Sequence, residues 1–162
     1  MAGVCLALAS CSPDSGDKKT AAGQEDPAVK AKKEAQSAEC LTNLKAITKA
    51  MRMWADAHEG NFPKGFILMS NELSGWKLLH CPGDDSRGMP DLAQVKSEDL
   101  SYKISSIGTN ATTNSLDLVL VQCIVHGHVA VSDGTAVAGS VELQRRLKPI
   151  GDGTVHLAPA SR

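Results

Sequence analysis

The fold is decided by residues 38–58, which read AECLTNLKAITKAMRMWADAH. Apolar side chains recur in this stretch at steps of three and four, the period of an α-helix with one buried face. The stripe consists of Leu41, Leu44, Ile47, Met51, Trp54, Ala55 and His58. Ser37 is a candidate N-cap, and Gly60, Asn61 and Pro63 supply a stop signal. The alternative start is earlier, because residues 29–36 are polar but have the helix propensity to extend the helix. The sequence therefore predicts one long helix that buries this stripe against a second layer.

The second half of the chain has the alternation and the turn residues of β-strands. Residues 101–107 alternate apolar and polar side chains, and residues 116–125 form a longer β-rich run. Further on, Asp133 and Gly134 offer the positive φ angles that a two-residue hairpin turn demands. A second Asp-Gly pair, at residues 152–153, separates two short apolar runs and predicts another hairpin. The expected fold class is α+β, with the long N-terminal helix packed on a small antiparallel β-sheet.

The N-terminal residues have the character of a bacterial lipoprotein leader. Residues 8–10, Leu-Ala-Ser, precede Cys11, an arrangement in which the cysteine becomes the lipidated first residue after cleavage. The apolar run is short for a signal peptide and no Lys or Arg precedes it, and a start codon assigned too late accounts for both. Residues 12–36 are polar, as a tether requires. The expected division is a lipoprotein-type signal remnant at 1–10, a polar tether at 11–37 and a globular domain at 38–162. We expect lipid on Cys11 to hold the chain to a membrane of the bacterial cell envelope, facing the periplasm or the cell surface.

Composition and motifs exclude several classes of function. The net charge of −1 gives no electrostatic reason to expect nucleic acid as a partner, and 3% aromatic residues leave no platform for stacked bases. The chain has no Gly-x-Ser-x-Gly elbow, Walker loop, His-Glu-x-x-His or Cys-x-x-Cys. Asp84 and Asp85 beside Gly83 suit either a turn or a weak calcium site. We therefore expect a protein that is not an enzyme and that has no cofactor.

Three cysteines, Cys40, Cys81 and Cys123, lie within the predicted domain. An oxidising envelope compartment favours a disulfide among them. A bond from Cys81 to Cys123 closes a loop of about 42 residues, which the chain-entropy model values at roughly 4 kcal/mol. Cys40 to Cys81 is the alternative pairing, and the sequence does not choose between them. Either pairing leaves one cysteine over.

Metal binding is a different prediction for the last of these cysteines. Cys123, His126 and His128 place a thiol and two imidazoles close together, and zinc favours such ligands in a tetrahedral array. His80 and its neighbouring cysteine form a candidate second pair. In a regular strand the two histidines share one face and the cysteine points to the other, because side chains alternate. The metal site therefore requires a turn near Gly127, and the alternative is that these histidines are solvated surface residues.

Four short segments carry a resemblance to a known family. They are CLTNLKAI at 40–47, MRMWAD at 51–56, GNFP at 60–63 and LHCPGD at 79–84. In these segments, and in His126 followed by the Asp133-Gly134 turn, residues 38–138 resemble the pseudopilin-like proteins abundant in planctomycetes and verrucomicrobia. The resemblance makes a structural role the expectation for Cys40 and Cys81.

This resemblance implies a pilin-like fold, which type II secretion pseudopilins and type IV pilins share, and an envelope setting. Pilin-like proteins begin with an apolar helix that spans the membrane, and here a polar tether and a lipid anchor take its place. The expectation is a lipid-anchored envelope protein with a structural or interaction role related to secretion or pilus-like systems. Its expected partners are the membrane and other envelope or secretion proteins.

Overall fold

The computed structural model describes residues 26–88, 96, 99–105, 110, 116–150 and 154–160. Its helices are α1 (Pro27–Asp56), two short 3₁₀ helices (Phe66–Met69 and Trp76–Leu79) and α2 (Val141–Arg146). Its strands are β1 (Tyr102–Ile104), β2 (Val119–Cys123), β3 (Val129–Val131), β4 (Ala136–Val137), β5 (Leu147–Pro149) and β6 (Val155–Leu157). The predicted lipid attachment at Cys11 and the leader at 1–10 lie outside the described residues.

Helix α1 begins earlier than the predicted cap. Asp26 is the N-cap, its side chain accepts a hydrogen bond from the Ala28 backbone N–H at 2.8 Å, and Pro27 occupies the first helical position. Ser37 is therefore not the cap, and the alternative holds: residues 29–36 have good helix propensity and belong to the helix, within the segment expected to be a tether. The first turn of α1 is exposed, so local propensity and capping start the helix and packing holds its second half.

The buried face of α1 agrees with the predicted stripe over most of its length. Its buried residues are Cys40, Leu44, Ile47, Thr48, Ala50, Met51 and Ala55. His58, predicted as part of the stripe, is exposed because α1 ends at Asp56. The imidazole instead stacks on Trp54 with ring centroids 3.6 Å apart. The stripe therefore ends one turn sooner than the sequence pattern does.

The main sheet is antiparallel, with strand order β1-β2-β3-β4. Helix α1 packs against β2, β3 and β4, so one layer of helix covers one face of the sheet. The core between them includes Leu44, Ile47 and Met51 from the helix and Leu120 and Val121 from the sheet. The predicted α+β class is confirmed: one long helix and a small antiparallel sheet form the described structure.

The turn between β3 and β4 lies where the Asp-Gly pair predicted it, but it is longer than predicted. The Val131 N–H donates to the Thr135 carbonyl at 2.9 Å, which leaves three residues in the loop. Only the last of them, Gly134, has a left-handed φ, of 92°. Asp133 keeps an ordinary φ because its carboxylate accepts the Thr135 backbone N–H at 2.7 Å. A turn followed by a left-handed glycine is the usual three-residue hairpin loop.

A second, smaller sheet completes the domain. Strands β5 and β6 pair antiparallel, which confirms the second predicted hairpin, although residues 152–153 of its turn lie outside the described part. Helix α2, which the sequence pattern did not reveal, begins at a Ser140 cap that accepts the Leu143 N–H at 3.0 Å. A bridge between Leu118 and His156 connects this sheet to the start of β2. None of the helices in the described ranges is long and apolar enough to cross a membrane.

Candidate metal centre

Four potential metal ligands converge beneath helix α1. They are the sulfur atoms of Cys40, Cys81 and Cys123 and a ring nitrogen of His126, and all four ligand atoms lie within 4.8 Å of one another. The three cysteines are fully buried and the histidine is half-buried. The Cys81 sulfur is 3.1 Å from Nδ1 of His126, so this nitrogen is the one that faces the sulfurs. The group is compact enough to surround one ion.

Three separate parts of the fold bring these side chains together. Cys40 lies in the middle of α1, on the face that packs against the sheet. Cys81 follows the second 3₁₀ helix and begins a turn in which the Asp84 N–H donates to the Cys81 carbonyl at 2.9 Å. Cys123 is the last residue of β2, and His126 lies in the turn that connects β2 to β3. The centre therefore joins the helix, the long connection after it and the sheet.

The turn after β2 allows Cys123 and His126 to face the same site, whereas a regular strand would place them on opposite faces. The Gly127 N–H donates to the Cys123 carbonyl at 3.0 Å, and Gly127 adopts a φ of 66° that favours glycine. The chain reverses within this turn, so the histidine returns to the side of the cysteine. The His126 backbone N–H also donates to the Cys123 sulfur at 3.4 Å. The turn that the sequence analysis required at this position is present.

His128, the third residue of the predicted metal set, is not among the four. Its Nδ1 accepts the Gly139 backbone N–H at 2.7 Å, so the neutral ring carries its proton on Nε2 and donates it to the Ser37 hydroxyl oxygen at 2.9 Å. Burial lowers the pKa of His128, which keeps the ring neutral. His128 also stacks on His126 with centroids 4.9 Å apart. His128 therefore packs against the His126 ring, and both of its own ring nitrogens are hydrogen-bonded to other groups.

The three thiols form a cluster that deprotonates unevenly. Hydrogen bonds from Cys40 and Cys81 lower the pKa of the Cys123 thiol far below its ordinary value, and the backbone N–H of His126 acts in the same direction. The hydrogen bond to Cys123 raises the pKa of Cys81 to about 11. A hydrogen bond to Cys123, together with burial, raises the pKa of Cys40 well above its ordinary value. The Cys123 thiolate is therefore stabilised by hydrogen bonds from the thiols of Cys40 and Cys81. Removing the other two protons requires a positive charge among the sulfurs.

The cysteines predicted as disulfide partners are all free thiols in this structure. Cys40, Cys81 and Cys123 contact one another as one group, and the structure favours neither of the two pairings considered from the sequence. His80, the candidate second-pair ligand, points elsewhere: its Nε2 lies 2.9 Å from the Arg87 carbonyl oxygen. The structure therefore brings two of the three residues in the predicted zinc set together with both remaining domain cysteines.

A second buried acidic group lies close by in sequence. The Asp84 carboxylate accepts hydrogen bonds from Ser101 Oγ at 2.7 Å, from Ser86 Oγ at 2.6 Å and from the Arg87 guanidinium at 2.8 Å. Burial alone would raise its pKa, but these donors hold the pKa of Asp84 well below its usual range. Ser86 and Arg87 belong to the turn itself, and Ser101 directly precedes β1. Of the two roles considered for Asp84, the turn is the one that these contacts fulfil.

The sequence-based metal prediction consisted of Cys123, His126 and His128, with His80 and Cys81 as a candidate second pair. Cys40 was predicted only as a disulfide candidate. The available signal was the count: three cysteines in the predicted domain, an odd number, together with one C-x₂-H unit make a Cys₃His set. Comparisons of this chain with models of known protein families, with curated proteins and with solved structures find no match. The function must therefore be argued from the centre itself.

Proposed function

We propose that this chain is a metal-binding protein whose Cys40, Cys81, Cys123 and His126 hold one zinc ion. The observation that carries the proposal is the convergence of four ligand atoms within 4.8 Å. Zinc–sulfur bonds of 2.3 Å in a tetrahedron separate sulfur atoms by about 3.8 Å, so the group needs little adjustment to close on an ion. Cys₃His is one of the ligand sets that structural zinc uses, and soft thiolates disfavour magnesium and calcium.

The proposed role of the ion is structural. Four protein ligands complete a tetrahedron and leave no open position for water or substrate, which is the mark of a structural zinc site. The ligands come from a helix, a turn and a strand end, and they span residues 40–126. One ion thereby anchors the long connection after α1, whose described part contains two 3₁₀ helices of four residues. A structural ion agrees with the expectation that the protein is not an enzyme.

Elemental analysis of the purified full-length chain tests this proposal. Cys5 and Cys11 are first replaced by Ser, so that the three domain cysteines are the only thiols. We expect about one zinc per chain, and we expect Cys123→Ser and His126→Ala each to lose it. His128→Ala is the matched control, because His128 is a neighbouring imidazole with both nitrogens bonded elsewhere, and we expect this variant to retain the ion. A parent chain without metal, or equal loss from both histidine variants, would contradict the proposal.

A disulfide among the same cysteines is the competing prediction for this group. A sulfur in a disulfide is not a thiolate ligand, so the two states exclude each other. The intact mass of the unreduced chain separates them, because a disulfide lowers the mass by two hydrogens. We expect the metal-loaded protein to have the fully reduced mass and the metal-free protein to become oxidisable.

The second candidate function is that of a lipid-anchored envelope protein with a pseudopilin-like domain, acting as a structural or interaction module. The observation that favours it is the long α1 packed on a four-stranded antiparallel sheet, which is the general architecture that the resemblance implies. The two candidates are compatible, since a zinc ion inside the domain leaves its surface free for partners. The anchor is tested by Cys11→Ala: unchanged acyl labelling and membrane fractionation would contradict it.

A further inference from the structure

The three sulfurs of the centre differ in how the backbone can support them. Cys81 and Cys123 lie at turns, where backbone N–H groups are free to point at sulfur. Gly83 plays this part for Cys81, and His126 and Val125 play it for Cys123. Cys40 lies inside a helix, where the backbone N–H groups are engaged in helical hydrogen bonds. A donor for the Cys40 sulfur has to come from a side chain.

Tyr102 supplies that donor. Its hydroxyl donates to the Cys40 sulfur at 3.5 Å, and the side chain is 1% exposed. Strand β1 positions it, because Tyr102 pairs directly with Cys123 in the sheet register. The side chain of Asn43, three residues after Cys40 on α1, acts on the same hydroxyl.

We propose that Tyr102 is a positioning residue of the metal centre, whose hydroxyl holds the Cys40 thiolate in place and stabilises its negative charge. This inference rests on the proposed zinc site. Three thiolates and a neutral imidazole around a divalent ion carry a net charge of −1, and this charge lies among buried apolar residues. Each hydrogen bond to a sulfur spreads that charge onto the donor. The Tyr102 hydroxyl does for Cys40 what backbone N–H groups do for the other two sulfurs.

The proposed role explains why the buried residue at position 102 carries a hydroxyl. Tyr102 is the only tyrosine in the chain, and phenylalanine has the same ring without the hydroxyl. A buried hydroxyl without a partner is costly, and the Cys40 sulfur is the partner that accepts the hydrogen bond of this one. Because the hydroxyl is the only difference between the two side chains, Tyr102→Phe removes the hydrogen bond and leaves the packing.

The test compares full-length wild type with Tyr102→Phe and with Thr48→Val. Thr48 is a suitable control because its hydroxyl, like that of Tyr102, is buried, and it has no hydrogen-bond partner among the residues that the structure describes. Competition with a chromophoric chelator measures zinc affinity, and we expect Tyr102→Phe to bind zinc about tenfold more weakly while Thr48→Val is unchanged. With cobalt in place of zinc, we expect the sulfur-to-metal charge-transfer band of Tyr102→Phe to move to lower energy, a change that loss of packing alone would not produce.

Three outcomes separate the two proposals. A wild-type chain that takes up neither zinc nor cobalt would overturn the zinc site and this inference with it. A wild type that binds zinc, beside a Tyr102→Phe variant with the same affinity and the same cobalt spectrum, would overturn the role of Tyr102 alone. If Tyr102→Phe does not fold, Asn43→Ala decides, because alanine is well tolerated in a helix and we expect a smaller change in the same direction. An unchanged cobalt spectrum in Asn43→Ala would then overturn the inference.

Discussion

The structure has two buried acidic centres: the Asp84 carboxylate with its partners, and the candidate metal centre, whose Cys81 lies three residues before Asp84. The two centres differ in how their negative charge is balanced. Asp84 has its partners within the protein: two hydroxyl groups and the Arg87 guanidinium surround its carboxylate. The centre that contains Cys81 consists of three thiols and one imidazole. A buried charge must be paired to be stable. The first centre is therefore complete by itself, whereas the second calls for an external cation.

Removal of the metal has the largest expected effect, because it acts only on the centre that the protein does not balance. At free zinc 1,000 times the dissociation constant, binding stabilises the fold by about 4 kcal/mol, and a chelator removes that contribution. Urea unfolding of the reduced chain, followed by tryptophan fluorescence, measures it. Equal unfolding midpoints with and without chelator would show that the two centres do not differ in this way.

The substitution Asp84→Asn disrupts the Asp84 centre and leaves the four proposed metal ligands in place. We expect a loss of about 2 kcal/mol at neutral pH, the usual worth of hydrogen bonds to a charged group, with zinc still bound. Asp85→Asn is the matched control, because Asp85 is exposed, and we expect it to stay within about 0.5 kcal/mol of wild type.

The stability difference between wild type and Asp84→Asn is expected to depend on pH. The folded pKa of Asp84 is lowered, so its stabilisation is present above the unfolded carboxyl pKa of about 3.9 and is lost as the pH falls toward the folded value. Acid also releases metal from both proteins, so the difference between wild type and Asp84→Asn isolates the carboxylate. We expect that difference to shrink below about pH 4. A difference that stays constant down to pH 2 would contradict this assignment.

Gly83→Ala sharpens the comparison because Gly83 lies between the two centres. A Cβ atom there would stand 2.7 Å from Cε1 and 2.9 Å from Nε2 of His126. An unbound imidazole can rotate away, whereas a ring held by an ion cannot. We expect about tenfold weaker zinc binding, in the usual range for overpacking, and little change in the metal-free protein. Gly65→Ala, where a Cβ meets nothing within 4 Å, is the control, and equal affinities for both variants would contradict the prediction.

Thr48→Val has the smallest expected effect, because Thr48 belongs to neither centre. Its buried hydroxyl has no hydrogen-bond partner within the described ranges, and valine has nearly the same shape. We expect a gain of up to about 1 kcal/mol in the free energy of unfolding, with unchanged zinc affinity. A thermal unfolding midpoint lower than that of wild type would indicate that this hydroxyl has a role that the described contacts do not contain.

The fold could be predicted further than the candidate site. The buried stripe of α1, the β-rich runs and both Asp-Gly hairpins were visible in the sequence, because each depends on a local period or on turn chemistry. The errors were local as well: Asp26 and Pro27 start the helix before Ser37, and Asp133 bonds its own turn and lengthens the loop. Helix α2 was missed because six residues are too few for a periodic pattern.

What the sequence by itself determined is that a helix with one apolar face meets a small antiparallel sheet, and that the chain carries the chemical groups for a disulfide or a metal. Only the tertiary structure decided that Cys40, Cys81, Cys123 and His126 form one group, that His128 supports it from outside and that Tyr102 contacts it. The physical reason is distance along the chain. The three cysteines follow one another at intervals of about 40 residues and share no period. The direction in which each side chain points depends on how its helix, turn or strand packs against the others.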